Sequence, residues 1–360
     1  MHPAPTAEQQ TLMSGVRDVL KKEISPEKLL EWSRAPGSAE AALLARVADL
    51  GWLGMAAPEA VGGMGTSLVD VSLLFEECAR GLLPLQVINY MRGVQAVVDV
   101  EPDCPLLRQL TTGERTIALA LDEEFDRTPA RYRTRIENGT VTGRKCYVLN
   151  GERADYHLVA AREGDGLSLV VVANGAPGLS CEGRVGMADD SQAHVRYEGV
   201  AVVTHLGAPG RADDALARMW LHQQLLALAE MVGGMEWVQG ATVTYIQERW
   251  QFGQPIALFQ AVRHQAADMA TTITCARHLA RQAICRTVSG TVEDTELESA
   301  LAYVGQAFKR VCWAGHHLHG GLGFVVEHPL HWQSERAQTY CIRYTPEAPR
   351  LRAIAAKLLD

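Results

Sequence analysis

The chain has 360 residues, 47% of them hydrophobic and 21% charged, with a formal net charge of -8 and a pI near 5.9. This describes a globular protein long enough for two or three domains, and its acidity excludes a general attraction to nucleic acid or anionic membranes. No apolar run approaches membrane-spanning length, and Met1 to Thr6 lacks the charged-then-apolar plan of a signal peptide, so a cytoplasmic protein is expected. The cysteines stand singly, without a CxxC pair. Cys78, Cys275, Cys285 and Cys312 lie in apolar helical context and read as reduced, buried thiols.

Residues 1–114 read as helices. Leu12, Val16, Val19 and Leu20 form one stripe, Leu43, Val47 and Leu50 another, and Val71 to Ala79 a third. Between the last two lies Gly62-Gly63-Met64-Gly65. It follows no strand, so it reads as a tight loop between helices rather than a dinucleotide fingerprint. Over 115–207 the period changes to that of strands: Ile117 to Leu121, Tyr132 to Glu137, Val141 to Leu149, Leu158 to Ala160, Leu167 to Val172 and His194 to Tyr197. Asn138-Gly139 between two of these runs predicts a hairpin. From 213 to 360 the chain is helical again, with Leu297, Leu301, Val304, Phe308 and Val311 as a further stripe.

Two long helical patterns in this last region meet at Glu248-Arg249-Trp250-Gln251-Phe252-Gly253-Gln254-Pro255-Ile256. Before it, Leu216, Met219, Leu221, Leu225, Leu228 and Val232 recur mostly three or four apart; after it, Phe259, Val262, Ala266, Met269, Ile273 and Ala276 do the same. Gly253 and Pro255 stop one helix and start the next. An arginine followed by an aromatic ring at a corner suits a phosphate-bearing ligand, the guanidinium for charge and the ring for stacking. A helix-capping arginine beside a core phenylalanine explains the same residues.

Arg249-x-Gln251-Phe252-Gly253-x-Pro255-Ile256-x-x-Phe259-Gln260 resembles a signature of the flavin-dependent acyl-CoA dehydrogenase family. Two more signatures stand in the family's order and spacing: Pro58-Glu59-Ala60-Val61-Gly62-Gly63-Met64-Gly65 upstream, and His317-Leu318-His319-Gly320-Gly321-Leu322-Gly323-Phe324 downstream, followed by Glu327 and Pro329. The resemblance spans nearly the whole chain. It implies an α+β fold: an N-terminal helical domain, a small middle β domain and a C-terminal four-helix bundle that drives oligomerisation. FAD would lie between domains and between subunits.

In the family, a glutamate removes the α proton of an acyl thioester while a hydride passes from the β carbon to FAD. Burial raises such a carboxylate toward neutrality and suits it to the task. The resemblance puts that base at Arg343 or Tyr344, or at Gln223 on the helix before the corner, and none of the three is a carboxylate. Glu347, nearby, and Glu123, in the middle domain, are the candidates for a displaced base. Leu221 and Gln224 stand where many members have an Asp and an Arg that hold substrate. The middle-domain strand that carries Thr-Glu-Pro and Gly-Ser-Asp in the family is here Ala120-Leu121-Asp122-Glu123-Glu124-Phe125-Asp126. The strand that faces the isoalloxazine reads Lys145-Cys146-Tyr147-Val148-Leu149-Asn150, in which Tyr147 can stack and Leu149 cannot donate.

By the same resemblance, Arg249, Gln251, Phe252, Gly320, Gly321 and Gly323 reach the ADP portion of a neighbouring subunit's FAD, with His317 in place of the usual glutamine beside them. What survives serves a partner's flavin; what is lost serves the chain's own. The expectation is the degenerate subunit of an α2β2 acyl-CoA dehydrogenase, similar to those that shorten steroid side chains, with electron-transfer flavoprotein or a like acceptor. The alternatives are a self-sufficient homo-oligomer with a displaced base and a flavin-free scaffold. Three further features read as structural. His316, His317 and His319 suggest no metal. Arg350 to Lys357 reads as a solvated helix face, and Trp220, Trp237, Trp250 and Trp313 as packing residues.

Overall fold

The computed structural model describes residues 4–35, 40–124, 131–188 and 190–359. Six helices come first: α1 (Ala7–Glu23), α2 (Pro26–Arg34), α3 (Glu40–Asp49), α4 (Leu68–Arg80), α5 (Leu85–Val100) and α6 (Leu107–Thr111). Eight strands follow: β1 (Ile117–Ala120), β2 (Arg135–Glu137), β3 (Thr140–Leu149), β4 (Tyr156–Glu163), β5 (Gly166–Ala173), β6 (Leu179–Val185), β7 (Ser191–Ala201) and β8 (Thr204–Leu206). Then come α7 (Asp213–Glu248), the short strands β9 (Trp250–Gln251) and β10 (Gln254–Pro255), α8 (Gln260–Val288), α9 (Asp294–His319), α10 (Leu330–Arg343) and α11 (Glu347–Leu359). The helix–sheet–helix succession is the one expected.

Contacts divide the chain into two compact units. Unit 1 is Met1–Ala35, Ser67–Leu83 and Gln224–Asp360; unit 2 is Pro36–Thr66 and Pro84–Gln223.

Unit 2 is built on one sheet with strand order β6-β7-β3-β2-β4-β5-β8, and β1 lies parallel to β4. The β2–β3 hairpin turns at Asn138 and Gly139, whose φ values of 50° and 74° are what a two-residue turn of matching twist requires. The central strands β4 and β5 read as nearly continuous buried runs, because both of their faces are covered. Val141, Val148, Val159, Val170 and Val195 pack at the centre, with Tyr90 of α5 against them. The loop at Gly62 to Gly65 is tight, as expected: Gly62 and Gly65 have positive φ, and Gly63 lies against the Ala57 carbonyl.

Unit 1 is helical. Capping boxes at Thr6 and Ser67 start α1 and α4. From Gln224 to Met235, α7 is buried all round, and hence has little amphipathic character. Gly233 makes this possible: a Cβ there would lie 1.9 Å from the Glu76 carbonyl oxygen of α4.

Some expectations need correction. The stripe of α1 is Met13, Val16 and Leu20, with Leu12 and Val19 only half-buried, because the helix meets α4 about one residue round from the expected line. Cys275 is exposed, since it sits on the outer face of α8. Trp250 and Trp313 are mostly exposed, so they are not packed in the core of this chain. The tail helix is solvated, as expected, with none of its residues buried, but it is also tied to α9: Arg350 donates to both carboxylate oxygens of Glu298 at 2.8 and 2.9 Å, and Lys357 pairs with Asp294.

Candidate functional site

The chemistry-bearing residues fall into groups within each unit. In unit 1, α7 ends at Glu248 and the chain makes a two-residue hairpin, Gln251 opposite Gln254 and Trp250 opposite Pro255. The turn residues are Phe252 and Gly253, with φ of 53° and 80°. The expected corner is therefore a miniature β-hairpin with a large aromatic residue in the left-handed region. That is costly for any side chain with a Cβ, and Phe252 is also 90% exposed. Its ring meets Phe259 edge-to-face at 6.1 Å. Arg249 and Gln251 are exposed beside it.

The Gly-rich turn lies at the same end of unit 1. Tyr245, one turn before Arg249, stacks on His319 with centroids 4.5 Å apart. His317 donates from Nδ1 to the Gln265 side chain of α8 at 2.9 Å. Gly320 has φ of 59°, and a Cβ on either Gly320 or Gly321 would meet nothing within 4 Å. Gly321 is not at positive φ either, so nothing among the described residues requires glycine there. An open guanidinium, an open ring and an open stretch of backbone form a surface suited to a phosphate-bearing aromatic ligand approaching from outside.

The histidines form a local cluster. Beyond the stack on Tyr245, His319 lies 4.8 Å from His328 between ring centroids, and His316 stacks on Phe324. Among the described residues, no group of three or more His, Cys, Asp or Glu is placed to hold a metal ion. Burial holds His316, His319 and His328 below their ordinary range, His328 at about 4.

The positions considered for a base are all occupied by other chemistry. In unit 2, Gln223 is 1% exposed; its Oε1 accepts from Arg92 at 3.1 Å and its Nε2 donates to the Arg92 carbonyl at 3.2 Å. Its own carbonyl accepts from the same guanidinium at 2.9 Å. In unit 1, Tyr344 is buried and its carbonyl accepts from Gln224 at 2.9 Å, while Arg343 ends α10. Glu347 opens α11, is exposed, and accepts from Gln306 at 2.8 Å. Leu221 is half-buried on α7.

In unit 2, Glu123 accepts from the wholly buried Lys145 at 2.8 Å and from the backbone N–H groups of Arg133 and Thr134. Burial opposes its charge, yet Lys145 and these donors hold its carboxyl below the ordinary value. Burial in turn pushes Lys145 down to about 8, and its ammonium also lies over the Tyr132 ring at 3.8 Å. A carboxylate with this many donors is a weak base. Asp122 is buried, and its carbonyl accepts from Cys146. Phe125 and Asp126 lie outside the described residues. Tyr147 sits at a bulge of β3 with φ of 55°, half-buried, its ring 5.0 Å from His194. Leu149 is half-buried on the same strand.

Sequence reasoning missed Arg92 as the partner of Gln223. It also missed Glu230, 1% exposed on α7 and hydrogen-bonded by the Tyr340 hydroxyl of α10. Beside it on α10, Arg336 is wholly enclosed and donates to the Leu83 carbonyl at 2.9 Å; burial lowers its affinity for its proton. A lone acid within Leu225 to Val232 was the available signal for Glu230.

In chain order, helices precede and follow an eight-stranded mixed sheet, and the second helical region carries a Gly-rich turn and an Arg–aromatic corner. Residues 6–98 match the acyl-CoA dehydrogenase N-terminal domain and residues 215–358 the C-terminal domain, and the chain belongs to the acyl-CoA dehydrogenase family of flavoproteins. It is 27% identical over 335 residues to the acyl-CoA dehydrogenase IpdE2 of Mycobacterium tuberculosis, covering 92% of each chain. A crystal structure of the ChsE4-ChsE5 complex from the same organism superposes with a TM-score of 0.88 at 24% identity, over 100% of this chain and 99% of the other. A steroid ACAD, the Tcur3481-Tcur3483 G363A variant, superposes with a TM-score of 0.85 at 25% identity, over 98% of both chains. No helix of the described residues is long and apolar enough to cross a membrane.

Proposed function

We propose that this chain is the subunit of a heteromeric acyl-CoA dehydrogenase that completes the FAD site of a homologous partner and supplies no base of its own. Residues 1–114, 115–207 and 213–360 are its N-terminal, middle and C-terminal domains, the last carrying assembly. The carrying observation is a contrast. Gln223, Arg343 and Tyr344 offer no carboxylate, and Gln223 is consumed by Arg92. Arg249, Phe252, Gly320 and Gly321 meanwhile stand open, with a strained ring and a glycine that nothing among the described residues accounts for. FAD is the hydride acceptor of the family's reaction; the α proton needs a carboxylate, which the partner contributes. Glu347, exposed at a helix start, and Glu123, held by Lys145, are poorly placed to replace it. The two-component relatives, one of them a steroid ACAD, support a heteromer acting on the CoA thioester of a steroid side chain. Electrons leave to an electron-transfer flavoprotein or similar acceptor.

The test is the visible spectrum of the chain purified alone and co-purified with a homologous subunit. The expected result is a colourless chain, a yellow complex with about one flavin per two chains, and loss of that flavin in Arg249→Ala, by roughly tenfold or more for a charge-assisted phosphate contact. A chain that is yellow alone and bleaches with an acyl-CoA overturns the proposal, and so does a complex that stays colourless.

A further inference from the structure

Unit 1 contains a cleft of about 700 Å³ whose lining shares no residue with the corner or the Gly-rich turn. It lies among α1, α4, α7 and α8, and four arginines line it: Arg17, Arg80, Arg277 and Arg281. Each is held by a carboxylate. Arg17 pairs with Glu77 at 2.5 Å, Arg80 with Glu236 at 2.5 Å, Arg281 with Glu76 at 2.8 Å, and Arg277 also with Glu236.

The two signs of charge are layered. The guanidinium side chains are 35%, 36%, 30% and 16% exposed, in the order Arg17, Arg80, Arg277 and Arg281. Their carboxylate partners Glu77, Glu76 and Glu236 are 0%, 3% and 11% exposed. The acids form the floor and the cations face the opening. Each guanidinium has five N–H donors, and a carboxylate engages at most two or three of them. Arg281 Nε is buried and has no partner among the described residues. Four cations against three anions leave one net positive charge on the cluster even when every acid is ionised.

We propose that this cleft binds a small phosphorylated molecule, its phosphate oxygens bridging Arg277, Arg281, Arg17 and Arg80. Phosphate matches the fork geometry of several guanidiniums at once, and the volume admits a group well beyond the phosphate itself. Binding is coupled to a proton. Glu76 is raised to about 7 by burial and by its acidic neighbours Glu236 and Glu77, against the pull of Arg281. It also faces Arg17, while Arg80 and Arg277 hold Glu236. Protonating Glu76 raises the net charge of the cluster by one and favours an anion; by reciprocity, the anion favours the proton.

The experiment is calorimetric titration of the full chain with sulfate, a dianion whose charge is constant across the pH range, and with pyrophosphate and a nucleoside diphosphate. Saturable binding of all three is expected, with sulfate tightening several-fold from about pH 8 to about pH 6 as Glu76 gains its proton. Arg277→Gln should weaken binding tenfold or more by analogy with other phosphate contacts, while Arg80 still holds Glu236 in the fold. Arg249→Ala should leave the affinities unchanged, which separates this cleft from the flavin-facing corner. Binding of pyrophosphate and the nucleotide lost in Arg249→Ala but kept in Arg277→Gln overturns the proposal, as does the absence of saturable binding. If sulfate binds as tightly as the nucleotide, the ligand is the inorganic anion; if the nucleotide binds markedly more tightly, the ligand is an organic phosphate.

Discussion

Gln223 stands at one of the positions where the family resemblance would put a base, and its structural role is visible. Its amide meets the Arg92 guanidinium and carbonyl in both directions, and both residues are nearly inaccessible to water. Replacing it with leucine removes one acceptor and one donor from a closed pair, and each orphaned buried group costs roughly 1–3 kcal/mol. Gln223→Leu should therefore lower the urea midpoint of the chain by an amount worth about 2 kcal/mol, with unchanged slope. A midpoint shift below about 0.5 kcal/mol would mean the pair is dispensable. The sequence made the missing carboxylate legible, because it depends on residue identity alone. The partner was not legible: Arg92 lies 131 positions away, and no local pattern couples the two. The same holds for Glu123, whose candidacy as a base depended on what surrounds it. Only the fold shows Lys145 and two backbone donors closing over it.

Long periodic helices were legible as elements, and so was the Asn138-Gly139 hairpin, since both residues favour the positive φ they adopt. The hairpin at Trp250 to Pro255 was not, because its strands are two residues each and its turn uses phenylalanine where asparagine is usual. That choice leads to a test. Phe252→Gly relieves a left-handed strain of roughly 1–2 kcal/mol. It loses the contact with Phe259, worth about 0.5–1.5 kcal/mol, and adds about 0.5–1 kcal/mol of chain entropy in the unfolded state. These nearly cancel, so the lone chain should melt within a few degrees of the parent. If the ring is kept in that conformation to meet a partner's flavin, the heteromeric complex should nonetheless lose most of its FAD absorbance. Full flavin content in the Phe252→Gly complex would show that the ring has no part in holding the cofactor, and a large fall in melting temperature would show that its role lies within the chain.

Across the molecule, acid affects the two units differently. His157 is wholly buried in unit 2, with its ring nitrogens against the Tyr197 hydroxyl at 2.9 Å and the Gly151 carbonyl at 2.7 Å. Burial pushes it from 6.5 to about 4. Between those values the unfolded chain takes a proton that the folded unit refuses, so stability present above pH 6.5 is lost as pH falls through about 4. The shift corresponds to about 3 kcal/mol. His194 is depressed in the same direction and adds to the loss below pH 6.5, while Glu123 and Asp155, held below 4.5 and 3.8, add theirs at still lower pH. Unit 1 has an opposing group. Glu76, raised from 4.5 to about 7, keeps its proton in the fold where the unfolded chain has released it, so falling pH restores stability there while His316, His319 and His328 remove it. Among the described residues unit 2 shows no such compensation, since its raised groups are the Arg115 guanidinium and the thiols and phenols of Cys104, Cys181, Tyr90 and Tyr197, which stay protonated throughout this range. Unit 2 should therefore unfold first in acid, and His157 should account for most of the slope. Denaturant midpoints at about pH 7.5 and about pH 4.5 should differ by roughly 3 kcal/mol less in His157→Gln than in the parent chain, whatever the variant costs at neutral pH. Equal slopes in the two proteins would show that His157 titrates normally in the fold, and the acid sensitivity would then belong to the histidine cluster of unit 1.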